Sequence, residues 1–209
     1  MKKQLTTLLL LLALTASGWA QKTKNIAPAP KSSAALTLKN GDVLVYEVSR
    51  SGENWHFEVT IKEIREAIVF DWIMPEKNIS GQVTLEKSAR DKAVIYQNYF
   101  ADSTESDFVD TSTVWLSKKN FNELKKGSTI MTIDQYGAER FDKKETSSLG
   151  VIYKGKGMNL RMMRFTNGKT GDDLREIWVL DQASQPLILQ MNMGFTIVLK
   201  EIKGFKPDY

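Results

Sequence analysis

Few residues in this chain could do chemistry, and each can be weighed from its neighbours. His56 is the only histidine among 209 residues, and cysteine is absent. His56 falls in WHFEVTIKEI, on the polar side with Glu58, Thr60 and Lys62, so it reads as an exposed structural residue. Without cysteine or a G-x-S-x-G turn, no nucleophile–base arrangement is legible, and one histidine cannot build the usual zinc sites. Gly168-Lys169-Thr170 spells the end of a phosphate loop. The glycine that should lead it is Met163, and the tripeptide sits in a hairpin tip. Gly155-x-Gly157 runs from strand to strand, which is the wrong context for a dinucleotide fingerprint. Asp102, Glu105, Asp107 and Asp110 crowd one loop. Calcium takes such oxygens, but the turn glycine of an EF-hand is missing, and the stretch reads as a solvated loop. Asp71 stands between Phe70 and Trp72 in a strand apolar on both faces. Burial there demands a cationic partner or raises its pKa, and a structural ion pair is the reading adopted. No two carboxyls single themselves out as a glycosidase pair. The sequence therefore names no catalytic residue, no metal ligand and no cofactor.

The apolar residues offer more. Trp55, Phe57, Phe70, Trp72, Tyr96, Trp178 and Phe195 all fall on predicted strands, and Met158, Met162, Met163, Met191 and Met193 crowd the last third. Methionine is unbranched and polarizable, so a surface rich in it adapts to irregular apolar partners. A curved sheet lined this way suits a lipid or another apolar ligand. The candidate ligand-binding residues are Trp55, Phe57, Phe70, Trp72, Tyr96, Met162, Trp178 and Met191, with Phe121 added from a helix at the mouth. The same side chains would serve equally well as an ordinary filled core.

The elements that must hold these residues are mostly strands. Trp55 to Ile64 alternates apolar and polar residues, the mark of a sheet with one dry face. Asp42 to Val48 precedes it across a turn, giving a β-hairpin. Further strands are expected at 67–74, 82–87, 93–100, 111–116, 128–134, 140–144, 150–154, 158–165, 174–181, 187–192 and 195–202. Asn167-Gly168 supplies the tip of a late hairpin. Hairpin spacing without βαβ alternation predicts an all-β fold. It is an antiparallel meander of about eleven strands, forming a strongly curved sheet or half-barrel. One short helix, Ser117 to Lys126, is expected to cap an end. Ser117 is placed as N-cap, Leu116 and Phe121 as a hydrophobic staple, and Gly127 as the C-terminal stop. Phe121 and Leu124 share its apolar face, with Lys119 and Lys126 in solvent.

The first residues read as an export signal. Lys2 and Lys3 precede the apolar run Leu8–Leu14, and Gly18 and Ala20 prepare cleavage before Gln21. The run falls short of the ~20 apolar residues that span a bilayer, and no other run approaches that length. Residues 21–35 hold Pro28, Pro30 and three lysines, the composition of a flexible leader. One β-rich domain is expected over 36–209. Removing Lys2 and Lys3 takes 29 basic residues to 27, against 25 acidic ones. That mixed surface argues against nucleic acid as a partner.

The stretches NGDVLVYEV, VWLSKKNF and PLILQMNMGFTIVLKEI resemble a group of exported bacterial β-sheet proteins of unknown function. Their shape is similar to the half-closed barrels of lipoprotein-carrier and lipocalin-like envelope proteins. The resemblance implies a curved antiparallel sheet around an apolar concavity, and it brings no catalytic residue with it. Unlike lipid-anchored envelope carriers, this chain has no lipobox cysteine. The expected function is that of a non-enzymatic envelope protein, periplasmic or secreted. It would bind a lipid-like apolar ligand, or an envelope protein partner, in its concavity. The alternative is a structural or interaction module with a filled core. A third reading is a carboxylate-dependent hydrolase of envelope polymers.

Overall fold

The computed structural model describes residues 35–205. The export signal at 1–20 and the leader up to residue 34 lie outside the described residues. Thirteen strands form one sheet. The first four, β1 (Val43–Arg50), β2 (Glu53–Ile64), β3 (Ile68–Met74) and β4 (Ile79–Leu85), are a true antiparallel meander. A six-residue helix, α1 (Lys87–Lys92), follows. Then come β5 (Ile95–Tyr96), β6 (Thr104–Phe108) and β7 (Thr111–Ser112), all short. The helix α2 (Lys118–Lys126) leads into β8 (Ser128–Ile133), β9 (Ala138–Tyr153), β10 (Lys156–Thr166), β11 (Glu176–Leu180), β12 (Ile188–Asn192) and β13 (Thr196–Lys203).

The all-β curved sheet and its short helix match the expectation, with differences in detail. The strands run in the order β6-β4-β3-β2-β1-β13-β12-β11-β10-β9-β8-β5-β7. Four contacts are parallel: β4–β6, β5–β7, β5–β8 and β13–β9. The last joins Glu201 and Ile202 to Ile152 and Tyr153, closing β9 to β13 into a ring. The two ends of the whole sheet, β6 and β7, are separated in the chain only by Val109 and Asp110. Three Cα steps reach at most about 11 Å. The sheet must therefore curl until its ends adjoin.

Both faces of the central strands are covered. In β11, Ile177 and Val179 enter one core while Leu180 enters the other, as period-2 alternation requires. The first core lies in the concavity of β1 to β4 and takes Leu160 and Met162 of β10. The second core takes Met163 and Phe165 of β10 and is closed by Phe121 and Leu124 of α2. Val114 belongs to the first core, and its backbone bonds Tyr96 and Ile188 of the second. It sits at φ 57°, a rare conformation for a β-branched residue. The kink lets Val114 and Trp115 both enter the first core, while Leu116 enters the second.

Candidate functional site

The nine residues read as a ligand-binding set are divided by the fold. Phe57, Phe70, Trp72 and Met162 lie in the first core; Tyr96, Met191 and Phe121 lie in the second; Trp55 and Trp178 pack at the margin of the first. The first group meets side chains of its own chain. Phe100 stacks 4.9 Å from Phe57 and 5.2 Å from Trp72, and Trp115 lies 5.8 Å from Phe70. These separations fit tilted aromatic packing. Two tyrosine hydroxyls tie the two cores together. Tyr46 donates to the carbonyl of Ile188 at 3.0 Å, and Tyr96 accepts from the amide of Val114 at 3.1 Å. Burial pushes the pKa of both phenols up. The space bounded by Tyr46, Phe57, Phe100, Val114 and Met191 measures about 20 Å³. That is room for a single water, far below the several hundred Å³ of a ligand pocket.

The two titratable groups singled out in the sequence, His56 and Asp71, are held in structural pairs. His56 is exposed, with Nδ1 2.5 Å from Glu76 Oε1. Its amide also donates to Glu76 at 2.9 Å, and these bonds bring the Glu76 carboxyl down to about 2. Asp71 is not enclosed between apolar faces. It points outward from β3, where Lys62 lies at 2.8 Å and Gln82 donates at 2.8 Å. Partial burial raises its pKa, but the bonds from Gln82 and Lys62 outweigh that and leave it lowered. The expected ion pair is present, with lysine as the cation. The acidic stretch Asp102–Asp110 is not simply a loop, because Thr104–Phe108 is β6, paired with β4. Among the described residues, no three His, Cys, Asp or Glu side chains converge to hold a metal ion.

An open cleft lies at one rim of the sheet. It joins the turn before β1, the middle of β2, the β9–β10 hairpin tip and the end of β13, and it measures about 1230 Å³. Val43, Ile61 and Phe205 give it a mostly apolar lining, and Lys62, Lys154 and Lys203 stand around it. Its construction is specific. Gly41 adopts φ 85°, and a Cβ there would lie 2.6 Å from the Phe205 ring. Only glycine fits. Asp42 is buried and takes Lys154 Nζ at 2.9 Å, which raises the lysine pKa. Asp42 also accepts the Lys39 amide at 3.0 Å. The Lys154 amide donates to the Ile202 carbonyl at 2.8 Å, so the hairpin tip is stapled to β13. Phe205 is 67% exposed. Lys62 and Lys203 are paired with Asp71 and Glu58, at 2.8 and 3.3 Å. No local spacing announces this cleft, because its parts come from opposite ends of the domain.

The described residues include no helix long and apolar enough to cross a membrane. No family model matches the chain, and no curated protein matches it.

Proposed function

We propose that this is an exported, non-enzymatic interaction module of the cell envelope that binds through its outer surface. One observation carries the reading: the concavity is filled by the chain's own side chains, Phe100, Val114 and Trp115 among them. A carrier of the half-barrel kind needs that volume empty. Native mass spectrometry of protein purified from its own envelope tests the proposal. The expected spectrum shows the polypeptide mass with no lipid adduct. A stoichiometric lipid mass would overturn it.

A second reading has its own support. The rim cleft of about 1230 Å³ is large enough for an acyl chain, and Val43, Ile61 and Phe205 give it an apolar wall. Under that reading the apolar ligand sits at the rim rather than in the concavity. An apolar fluorescent probe should then bind saturably, and Phe205→Ala should weaken it without changing the melting temperature. Equal binding by the variant would remove the cleft as an apolar site.

A further inference from the structure

A different cleft, of about 750 Å³, opens where the chain leaves β5, turns between β8 and β9, and turns again between β12 and β13. Its character is not that of the rim. Three aromatic side chains border it, Tyr99, Tyr136 and Phe195, together with three neutral amides, Gln97, Asn98 and Gln135. Tyr99 is 69% exposed and Tyr136 is 51% exposed. Two large rings left in water on one cleft are a cost that burial elsewhere would have avoided.

These groups are held in place. The Arg175 guanidinium lies 4.0 Å from the centroid of the Tyr136 ring. Arg175 is itself buried, 3.5 Å from Glu139 and donating to the Asp173 carbonyl at 2.8 Å. The ring is therefore clamped by a fixed cation while half of it stays open. Asn98 is locked by Asp134, which accepts its amide at 2.7 Å and its Nδ2 at 3.3 Å. The Asn98 carbonyl oxygen is left to accept. Gln97 donates Nε2 to the Tyr99 carbonyl at 2.7 Å, which leaves its own oxygen to accept. Gln135 has no side-chain partner among the described residues, so it offers both a donor and an acceptor.

Flat aromatic faces beside uncharged donors and acceptors match one chemistry well. A pyranose presents a face of C–H groups and a rim of hydroxyls that each donate and accept. A lipid would need a continuous apolar wall. A polyanion would need an excess of cations, whereas this cleft sets the single Arg50 against Asp134 and Asp172. We propose that the cleft binds a neutral saccharide chain, with Tyr99 and Tyr136 as stacking platforms and Gln97, Asn98 and Gln135 bonding ring hydroxyls. The proposal rests on the reading of the protein as a surface-binding module and gives that surface a ligand class.

The test titrates the full chain with soluble hexamers of β-1,4-linked glucose, β-1,4-linked N-acetylglucosamine and α-1,4-linked glucose, followed by calorimetry. Saturable binding of at least one, with Kd between about 10 μM and 1 mM, is expected. Tyr99→Ala and Gln135→Ala change solvent-facing groups and should leave the melting temperature unchanged. Tyr99→Ala should weaken binding about tenfold or more, while Tyr99→Phe keeps it. Tyr136→Ala should weaken it likewise. The proposal is overturned if no hexamer binds at about 10 mM, or if Tyr99→Ala and Tyr136→Ala both bind as the parent does. A lipid-free native spectrum alongside absent sugar binding would sink this site and leave the module reading standing. A lipid adduct would sink the module reading itself.

Discussion

Thr113 carries its hydroxyl into the interior, where Oγ1 meets no hydrogen-bond partner among the described residues. A buried unpaired hydroxyl carries a desolvation penalty of about 1–3 kcal/mol, and valine has nearly the same shape without it. Thr113→Val should therefore raise stability by about 1 kcal/mol in urea melts; a loss would mean that the hydroxyl is satisfied. Phe57 shows the opposite case. It is buried among Tyr46, Trp72 and Phe100, so Phe57→Ala should cost about 3–5 kcal/mol. Thr60, three residues on and on the outer face, should tolerate alanine within about 0.5 kcal/mol. Equal effects in denaturant melts would contradict the burial pattern of β2. That pattern was legible in the sequence because one face of β2 is dry and the other wet. The strands around β10 were less so. Met163 and Phe165 face one core while Leu160 and Met162 face the other, and a strand buried on both faces loses its alternation. The crowd of methionines and aromatics consequently read as one lining, although it fills two separate cores.

Among the elements, α2 was the most legible because its end signals are local. Ser117 accepts the Asn120 amide at 3.2 Å, as an N-cap does, and also donates to the Ala93 carbonyl at 2.6 Å. Ser117→Ala should cost about 1–2 kcal/mol, since it breaks the cap and a buried bond together. Phe121 and Leu124 are fully buried and dock the helix on the second core. Phe121→Ala should cost about 3–5 kcal/mol by thermal or urea melts. A cost under about 1 kcal/mol would instead make the helix a surface connector. The lysines that oppose the helix dipole are answered in space: Lys118 pairs with Asp91 of α1 at 2.7 Å, and Lys119 with Glu123 at 2.9 Å. Other elements had no local signal. Helix α1 buries only Ala89, too little for a helical period. Strand β6 is acid-rich because its alternate residues face water at a sheet edge, a common way to blunt an edge. Strand β9 read as two pieces because none of its middle residues, 143–150, is buried, which leaves no apolar alternation there. The candidate clefts were hidden for a related reason: Gly41, Lys154 and Phe205, or Tyr99, Tyr136 and Phe195, meet only after the sheet has closed.

At the scale of the whole molecule, closure depends on contacts between distant segments, and many of these are ion pairs. Asp91 is held by bonds from Lys118 and Lys87 and lies at about 2. Glu76 is held at about 2 by His56, and Asp71, Glu123 and Glu139 are also lowered. A carboxyl whose folded pKa lies below its unfolded value binds fewer protons in the native state. Its contribution is complete above the unfolded pKa, about 4, and disappears as pH falls through the folded value. The cations run the other way. Lys87 and Lys154 are raised above 10.5 by Asp91 and Asp42, so their contribution is complete below that value and is lost only in strong alkali. The two signs together predict a melting temperature that is flat from about pH 5 to 9. It should then fall steadily between about pH 4.5 and 2. Asp91→Asn tests the assignment, because the amide keeps the shape but cannot titrate. The variant should be less stable than the parent at neutral pH, and the difference should shrink as pH approaches 2. A constant difference across that range would show that Asp91 acts by hydrogen-bond geometry alone. In that case the clamp between α1 and α2 would owe nothing to charge.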